Sequence, residues 1–261
     1  MLRRLTEPCG AFLFGGAMIR LVICCGLFLA MIGGTPDSSA APDPIRARLE
    51  TMTLEEKVGQ LFLITLYSPE LGPMDRALIE AIHPGGVVLF PHNIQSPEQV
   101  ARLTNDLQAY AQEVGPDVPL LIAVDQEGGR VSRLLDGFTP FPSPLVLGAT
   151  GRREDAVALG LAMGQELVAV GINMDLAPVA DLHYPAHDAG EWEVMYRRTL
   201  SADPALVSTL AGGMVEGLRA AGVIAVLKHF PGHGAAQTDS HSELPVIPLT
   251  REETEATTLA A

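Results

Sequence analysis

The chain has 261 residues, of which 48% are hydrophobic, enough for one sizeable domain with little room for a second. Its 17 basic and 31 acidic residues give a formal net charge of −14. No Lys- and Arg-rich stretch interrupts that acidic background, which excludes nucleic acid and anionic lipid as partners.

The first forty-odd residues differ from the rest. Arg3, Arg4 and Arg20 form a positive flank, Leu21 to Ile32 is apolar and uncharged, and Ser39-Ala40-Ala41 supplies small residues before Pro42. This pattern reads as a secretory signal segment over 1–41, with Met18 as an alternative start. The apolar run is shorter than the roughly twenty residues that span a bilayer, so a cleaved signal is preferred to an uncleaved anchor. The expected destination is secreted or periplasmic, with no stable membrane insertion after cleavage. Cys9, Cys24 and Cys25 all lie in this leader, leaving the domain over 42–261 without a thiol, so cysteine usage does not decide the compartment.

Ile45 to Leu54 opens the domain as an amphipathic segment. Thr53 followed three residues on by Glu56 is a capping-box signature for a helix entering Lys57-Val58-Gly59-Gln60. Short apolar runs then recur at Leu61 to Leu66, Gly86 to Phe90, Leu120 to Val124, Ile172 to Leu176 and Val223 to Leu227, each bounded by Gly, Pro or polar residues and each reading as a buried strand. Helical stretches separate them, over Pro97 to Val114, Arg153 to Val170 and Pro204 to Ala221.

Alternating strands and helices predict an α/β fold with a parallel sheet, either doubly wound or a (β/α)8 TIM-type barrel. The barrel is preferred because chemically active residue types follow several different strands: Asn93, Asp125, Asp181 and the pair Lys228-His229. Barrel enzymes assemble their sites in this way, at the C-terminal face of the strands.

The densest cluster of chemistry is Lys228-His229-Phe230-Pro231-Gly232-His233-Gly234, followed by Asp239-Ser240-His241. A strand ending at Leu227 delivers a cation and an imidazole to its edge, and the Pro and Gly residues then enforce a loop. Asp239 and His241 project to the same side of an extended segment, where the carboxylate can hold one imidazole nitrogen and fix its tautomer. Ordinary loop polarity is the plain alternative. A metal site is the sharper one, since His229, His233, Asp239 and His241 are all potential ligands. Against it, Pro and Gly between His229 and His233 prevent the single-face helical presentation of H-E-x-x-H, and its Glu is absent.

The second cluster, Asp125-Gln126-Glu127-Gly128-Gly129-Arg130-Val131-Ser132-Arg133, follows the third apolar run. Its glycines let backbone approach a ligand closely, and its carboxylate and guanidinium groups suit sugar hydroxyls and amide oxygens. A surface ion pair in a turn is the plain alternative.

KHFPGHG with its downstream DSH resembles the signature of the bacterial family-3 glycoside hydrolases, in their β-N-acetylglucosaminidase (β-hexosaminidase) branch. The DQEGGRVSR block, TLEEKVGQLF from Thr53, GGVVLFPHNI from Gly85 and DLAPVADL from Asp175 resemble family segments in the same order. The resemblance covers Met52 to Ala261 and implies a metal-independent, cofactor-free retaining exo-glycosidase acting on terminal β-linked N-acetylglucosamine, in peptidoglycan-derived or other amino-sugar glycans. It implies His241 as general acid/base with Asp239 as its partner, an exception to the two-carboxylate arrangement. Asp125, Arg133, Lys228 and His229 are implied sugar contacts.

Where the family has an Arg-Ser-Phe, this chain has Tyr196-Arg197-Arg198-Thr199-Leu200, and Arg198 is the matching arginine. Trp192, the only tryptophan, precedes it and is a candidate for stacking on a sugar face, with core packing as the alternative. The implied nucleophile, an Asp on a later strand, is expected beyond residue 261, and about five of eight barrel strands are expected within the chain. A chain ending at Ala261 is therefore expected to bind sugar weakly and not to hydrolyse it. A non-catalytic sugar-binding remnant and a metal-dependent hydrolase are the competing functions.

Overall fold

A computed structural model describes residues 43–184, 195, 197–236, 238, 240–241 and 243–261. The proposed leader lies outside the described residues, as do Trp192, Tyr196 and Asp239. Residues Arg48–Ala261 group as one compact unit.

The first helix, α1 (Pro44–Thr51), buries none of its residues, so the amphipathic face expected for Ile45 to Leu54 is corrected to an exposed helix that stops short of Thr53. The capping box forms as expected at α2 (Leu54–Gly59). There Thr53 Oγ1 accepts from the Glu56 amide at 3.1 Å, and the Thr53 amide donates to Glu56 Oε2 at 2.7 Å. Such caps contribute about 1 kcal/mol each by satisfying amides that have no helical partner.

Helix α3 (Pro73–Ile82) has no counterpart in the sequence reading. It starts on a proline, and the buried Asp75 accepts from the amides of Gly72 and Tyr67. Helix α4 (Pro97–Val114) begins with a Ser96 cap, and α5 (Pro144–Thr150) is a short turn after the second motif. Helix α6 (Arg153–Ala169), α7 (Pro204–Ala220), capped by Asp203, and α8 (Arg251–Ala256) follow. Among the described residues no helix is long and apolar enough to cross a membrane.

All five apolar runs contain a strand: β1 (Leu63–Thr65), β2 (Gly86–Leu89), β3 (Leu121–Val124), β4 (Met174–Asp175) and β5 (Ile224–Ala225). They pair in parallel in the order β1-β2-β3-β4-β5. A doubly wound sheet reverses direction at its switch point. Here each new strand adds to the same side of the last, which is the progression of a barrel wall, so the described chain is an α/β fold consistent with part of a (β/α)8 barrel. The core packs around β2 and β3 against α4 and α6, with a second apolar cluster among α5, α6 and α7. Two of the runs expected to be buried need correction. In Val223 to Leu227, Ile224 and Leu227 are exposed. The Leu61 to Leu66 run is not buried throughout: Leu61 is 82% exposed, Phe62 and Leu63 are also exposed, and only Leu66 is fully covered.

Helices α6 and α7 approach so closely that their backbones touch. A Cβ added to Gly160 would lie 2.4 Å from the Met214 carbonyl oxygen, and one added to Gly217 would lie 2.2 Å from that of Val157. Gly212, on the same helix as Gly217, faces open space. We predict opposite signs for one chemical change: Gly217→Ala should destabilise by about 1–3 kcal/mol through forced separation of the helices. Gly212→Ala should stabilise by about 0.5–1 kcal/mol through helix propensity alone. Denaturant midpoints of the two variants check this.

Candidate functional site

The C-terminal ends of β3, β4 and β5 converge on one cluster of charge. After β5 the chain stays paired with the continuation of β4: Val179 and Lys228 form a parallel bridge, and the Ala180 amide donates to the Lys228 carbonyl at 2.7 Å. Backbone bonds on this edge hold Lys228 in place, and its side chain reaches back across β4 to the segment that leaves β3. Its Nζ lies 2.6 Å from Asp125 Oδ1 and 2.6 Å from Glu127 Oε1.

Glu127 is the centre of this cluster. Its side chain is 0% exposed. Arg198 grips it with both ends of the guanidinium, Nε to Oε2 and Nη2 to Oε1, each at 2.8 Å. One buried carboxylate therefore gathers two cations, in the fork geometry that arginine favours. Burial works against the Arg198 charge, but Glu127, helped by Asp181 and Asp125, outweighs it and holds the guanidinium above its ordinary pKa.

The Gly-Gly that follows is a packing necessity. Gly128 has φ +90, and a Cβ there would lie 2.2 Å from the Pro142 carbonyl oxygen. The turn closes with the Glu127 amide donating to the Val131 carbonyl at 2.8 Å.

Asp181, beyond β4, is buried and organises the loop after β5. His229 Nδ1 lies 2.6 Å from Asp181 Oδ2, while the His233 and Gly234 amides donate to Oδ1 at 2.5 and 3.3 Å. Burial alone would raise the Asp181 carboxyl pKa, but the bonds from His229 and the two amides overcome it and hold the group below the ordinary value. The His233 ring meets the His229 ring edge to face at 5.5 Å. A cleft of about 240 Å³ opens beside them, lined by Asp181, Lys228, His229, Phe230, Pro231 and Leu259 among others.

Asp125, Arg198 and Lys228, far apart in sequence, are thus brought together, with His229 alongside. Arg133 joins through its backbone, its amide donating to Gln126 Oε1 at 2.9 Å, and its side-chain Nε is buried without a partner among the described residues.

His241 lies in an exposed turn, which corrects the extended segment expected there, and the proposed Asp239 partner lies outside the described residues. Asn93 is corrected from a candidate of the strand ends to a structural residue. It is 0% exposed and its amide is spent on the Leu66 and Ser68 carbonyls and the Phe90 amide.

Sequence reasoning quoted Glu127 but gave it no role, and it passed over Asp175. The available signals were a carboxylate directly before Gly-Gly and an acid inside an otherwise apolar strand. Asp175 is 0% exposed. Burial, against the weaker pull of the Gln126 amide and Lys228, raises its pKa well above the ordinary value. Among the described residues no group of three or more His, Cys, Asp or Glu is placed to hold a metal.

The sequence description of the glycosyl hydrolase family 3 N-terminal domain matches residues 53–261. A β-hexosaminidase of Alkalilimnicola ehrlichii is 42% identical over 203 residues, covering 76% of this chain and 56% of that protein. The structure of a family-3 β-N-acetylglucosaminidase from Paenibacillus sp. superposes with a TM-score of 0.75 at 41% identity, over 80% of this chain and 39% of that one. NagZ from Neisseria gonorrhoeae gives 0.68 at 33% identity, over 76% and 57%, and has also been solved with N-trifluoroacetyl-D-glucosamine. The chain spans about half the length of such relatives.

Two predictions follow from the charges. Glu127→Gln leaves the Arg198 guanidinium without its carboxylate and Lys228 with Asp125 alone, and urea unfolding should show a loss of about 3–5 kcal/mol. Removing the exposed Arg152–Asp155 pair with Arg152→Ala should change stability by no more than about 0.5 kcal/mol.

Asp181 and Asp175 should respond to pH with opposite signs. The depressed Asp181 carboxyl contributes stability above its unfolded pKa of about 3.9, lost as pH falls through the lower folded value. The raised Asp175 favours the fold below that unfolded pKa, and the advantage is lost as pH rises through its folded value. The stability of wild type minus Asp181→Asn should therefore rise with pH across the acid range, and that of wild type minus Asp175→Asn should fall, as read from thermal midpoints in a pH series.

Proposed function

From the premise that this chain belongs to glycoside hydrolase family 3, matched over its N-terminal domain, we propose that the full-length protein is a retaining exo-glycosidase removing terminal β-linked N-acetylglucosamine. The observation that carries the proposal is the pairing of Lys228 with Asp125 and Glu127, and of Arg198 with Glu127, at the strand C-terminal face. Charged groups already held at hydrogen-bonding distance lose little freedom when a sugar hydroxyl arrives between them. Asp125, Arg133, Arg198, Lys228 and His229 are assigned to the non-reducing sugar. The names of the relatives support the N-acetyl sugar as substrate and amino-sugar glycans as its source.

His241, partnered by Asp239, is assigned as acid/base. In the first step a carboxylate attacks the anomeric carbon and the bond to the leaving oxygen breaks as His241 gives that oxygen its proton. In the second, His241 takes a proton from water, whose oxygen attacks the same carbon and releases the carboxylate. Neither Glu127 nor Asp181 suits the attack. Both oxygens of Glu127 are committed to Arg198 and Lys228, and both of Asp181 to His229 and the amides after it. The family resemblance assigns the nucleophile to an Asp on a later strand of the full-length protein. The leader supports export to the periplasm or the exterior.

Kinetics of the full-length protein on an unactivated N-acetylglucosaminide test the assignment. His241→Ala should lower kcat by a factor on the order of 10² to 10⁴ without changing the thermal midpoint, and Asp239→Ala should slow turnover and move its pH profile. Near-wild-type rates in either variant on that substrate would remove the pair from the mechanism, and a wild type inactive on N-acetylglucosaminides but active on plain glucosides would overturn the substrate.

A further inference from the structure

Asp125, Gln126 and Glu127 are consecutive, and each is tied to a partner outside its own turn. Asp125 is held by Lys228, and Glu127 by Arg198 and Lys228. Between them, the Gln126 amide donates to Asp175 Oδ1 on β4 at 3.0 Å. The Gln126 side chain, itself 1% exposed, turns the other way: its Oε1 accepts from the amides of Arg133 at 2.9 Å and Leu134 at 3.2 Å. A continuous chain of bonds therefore runs from the floor of the sheet, through one buried glutamine, to both ends of the second motif.

We infer that Asp175 is a positioning residue, which through Gln126 sets the turn carrying Asp125 and Glu127 and the segment that begins at Arg133. The inference rests on the proposed function in one respect only, that Asp125 and Arg133 contact the sugar.

Asp175 Oδ2 has no partner among the described residues. The charged groups facing the carboxyl are Lys228, Asp125 and Glu127, and burial favours its neutral form. A protonated Asp175 still accepts from the Gln126 amide but does not compete for Lys228, leaving that cation to Asp125 and Glu127. Asparagine keeps an acceptor for the Gln126 amide without a charge, while placing an NH2 where Oδ2 has no partner among the described residues, and alanine removes the acceptor.

The test compares Asp175→Ala, Asp175→Asn and Gln126→Met in the full-length protein. On an N-acetylglucosaminide, Asp175→Ala should raise KM by about 10-fold, the loss from an unsatisfied buried amide, with a smaller effect on kcat, and Asp175→Asn should restore KM. Hydrogen exchange of the Gln126–Leu134 amides should accelerate in Asp175→Ala but not in Asp175→Asn. A wild-type KM and exchange rate in Asp175→Ala would overturn the inference, as would an Asp175→Asn as impaired as the alanine variant. Should Asp175→Ala fail to fold, Gln126→Met decides: a raised KM and faster exchange at Arg133 and Leu134 support the relay, and wild-type values for both overturn it. A wild type without turnover on N-acetylglucosaminides would sink the proposed function, and the exchange measurement would still decide the relay.

Discussion

A single buried carboxylate organises this site. Glu127 has no contact with solvent, and an ion in that position is tolerated only with nearby opposite charge and filled hydrogen-bonding capacity. Lys228 and Arg198 supply both. Each cation is in turn constrained, since Lys228 is also pulled by Asp125 and Arg198 is shielded by burial. Two acids and two bases close on one another at the end of the sheet, and the loops after β3 and β5 and the segment around Arg198 must all arrive in register for any of these charges to be buried. The electrostatics of the cluster and the course of three connections are thus one constraint.

A second layer of order surrounds it. Asp181 receives the ring of His229 on one oxygen and backbone amides on the other, so the shape of the Lys228–Gly234 loop is fixed by a residue from the preceding strand's connection. This is the division of labour expected of a parallel barrel wall, in which a rigid sheet presents the ends of neighbouring strands and short loops carry the reactive groups. The acidic surplus of the chain is not spread evenly over these functions: within the cluster, positive and negative groups are matched.

Much of this was legible in the sequence, for identifiable reasons. Brief apolar runs bounded by Gly, Pro or polar residues marked every described strand, and the Pro97 to Val114 stretch matched α4 to the residue, because breakers act locally. Helix α3 escaped notice since its signals, Gly72-Pro73 and Asp75, sit among other turn-forming residues and its apolar face is short. The sequence reading misplaced Asn93 because an asparagine beside a strand end looks the same whether it serves a ligand or three backbone groups. Glu127 and Asp175 could not be ranked above other acids, because their importance comes from contacts across long sequence separations. No local pattern reports that Arg198 will reach Glu127. The family signature made Lys228, His229 and Asp125 visible without explaining what holds them.

The contact between α6 and α7 also bears on how this protein can change over evolutionary time. Where two side chains touch, an enlargement on one helix can be offset by a reduction on the other, and paired drift keeps the packing intact. Gly160 and Gly217 abut carbonyl groups of the facing helix. A carbonyl cannot be made smaller by any substitution, so no second-site change on the opposite helix restores the fit. These positions should be frozen singly instead of varying in pairs, and a search for correlated substitutions would be silent at one of the tightest contacts in the fold.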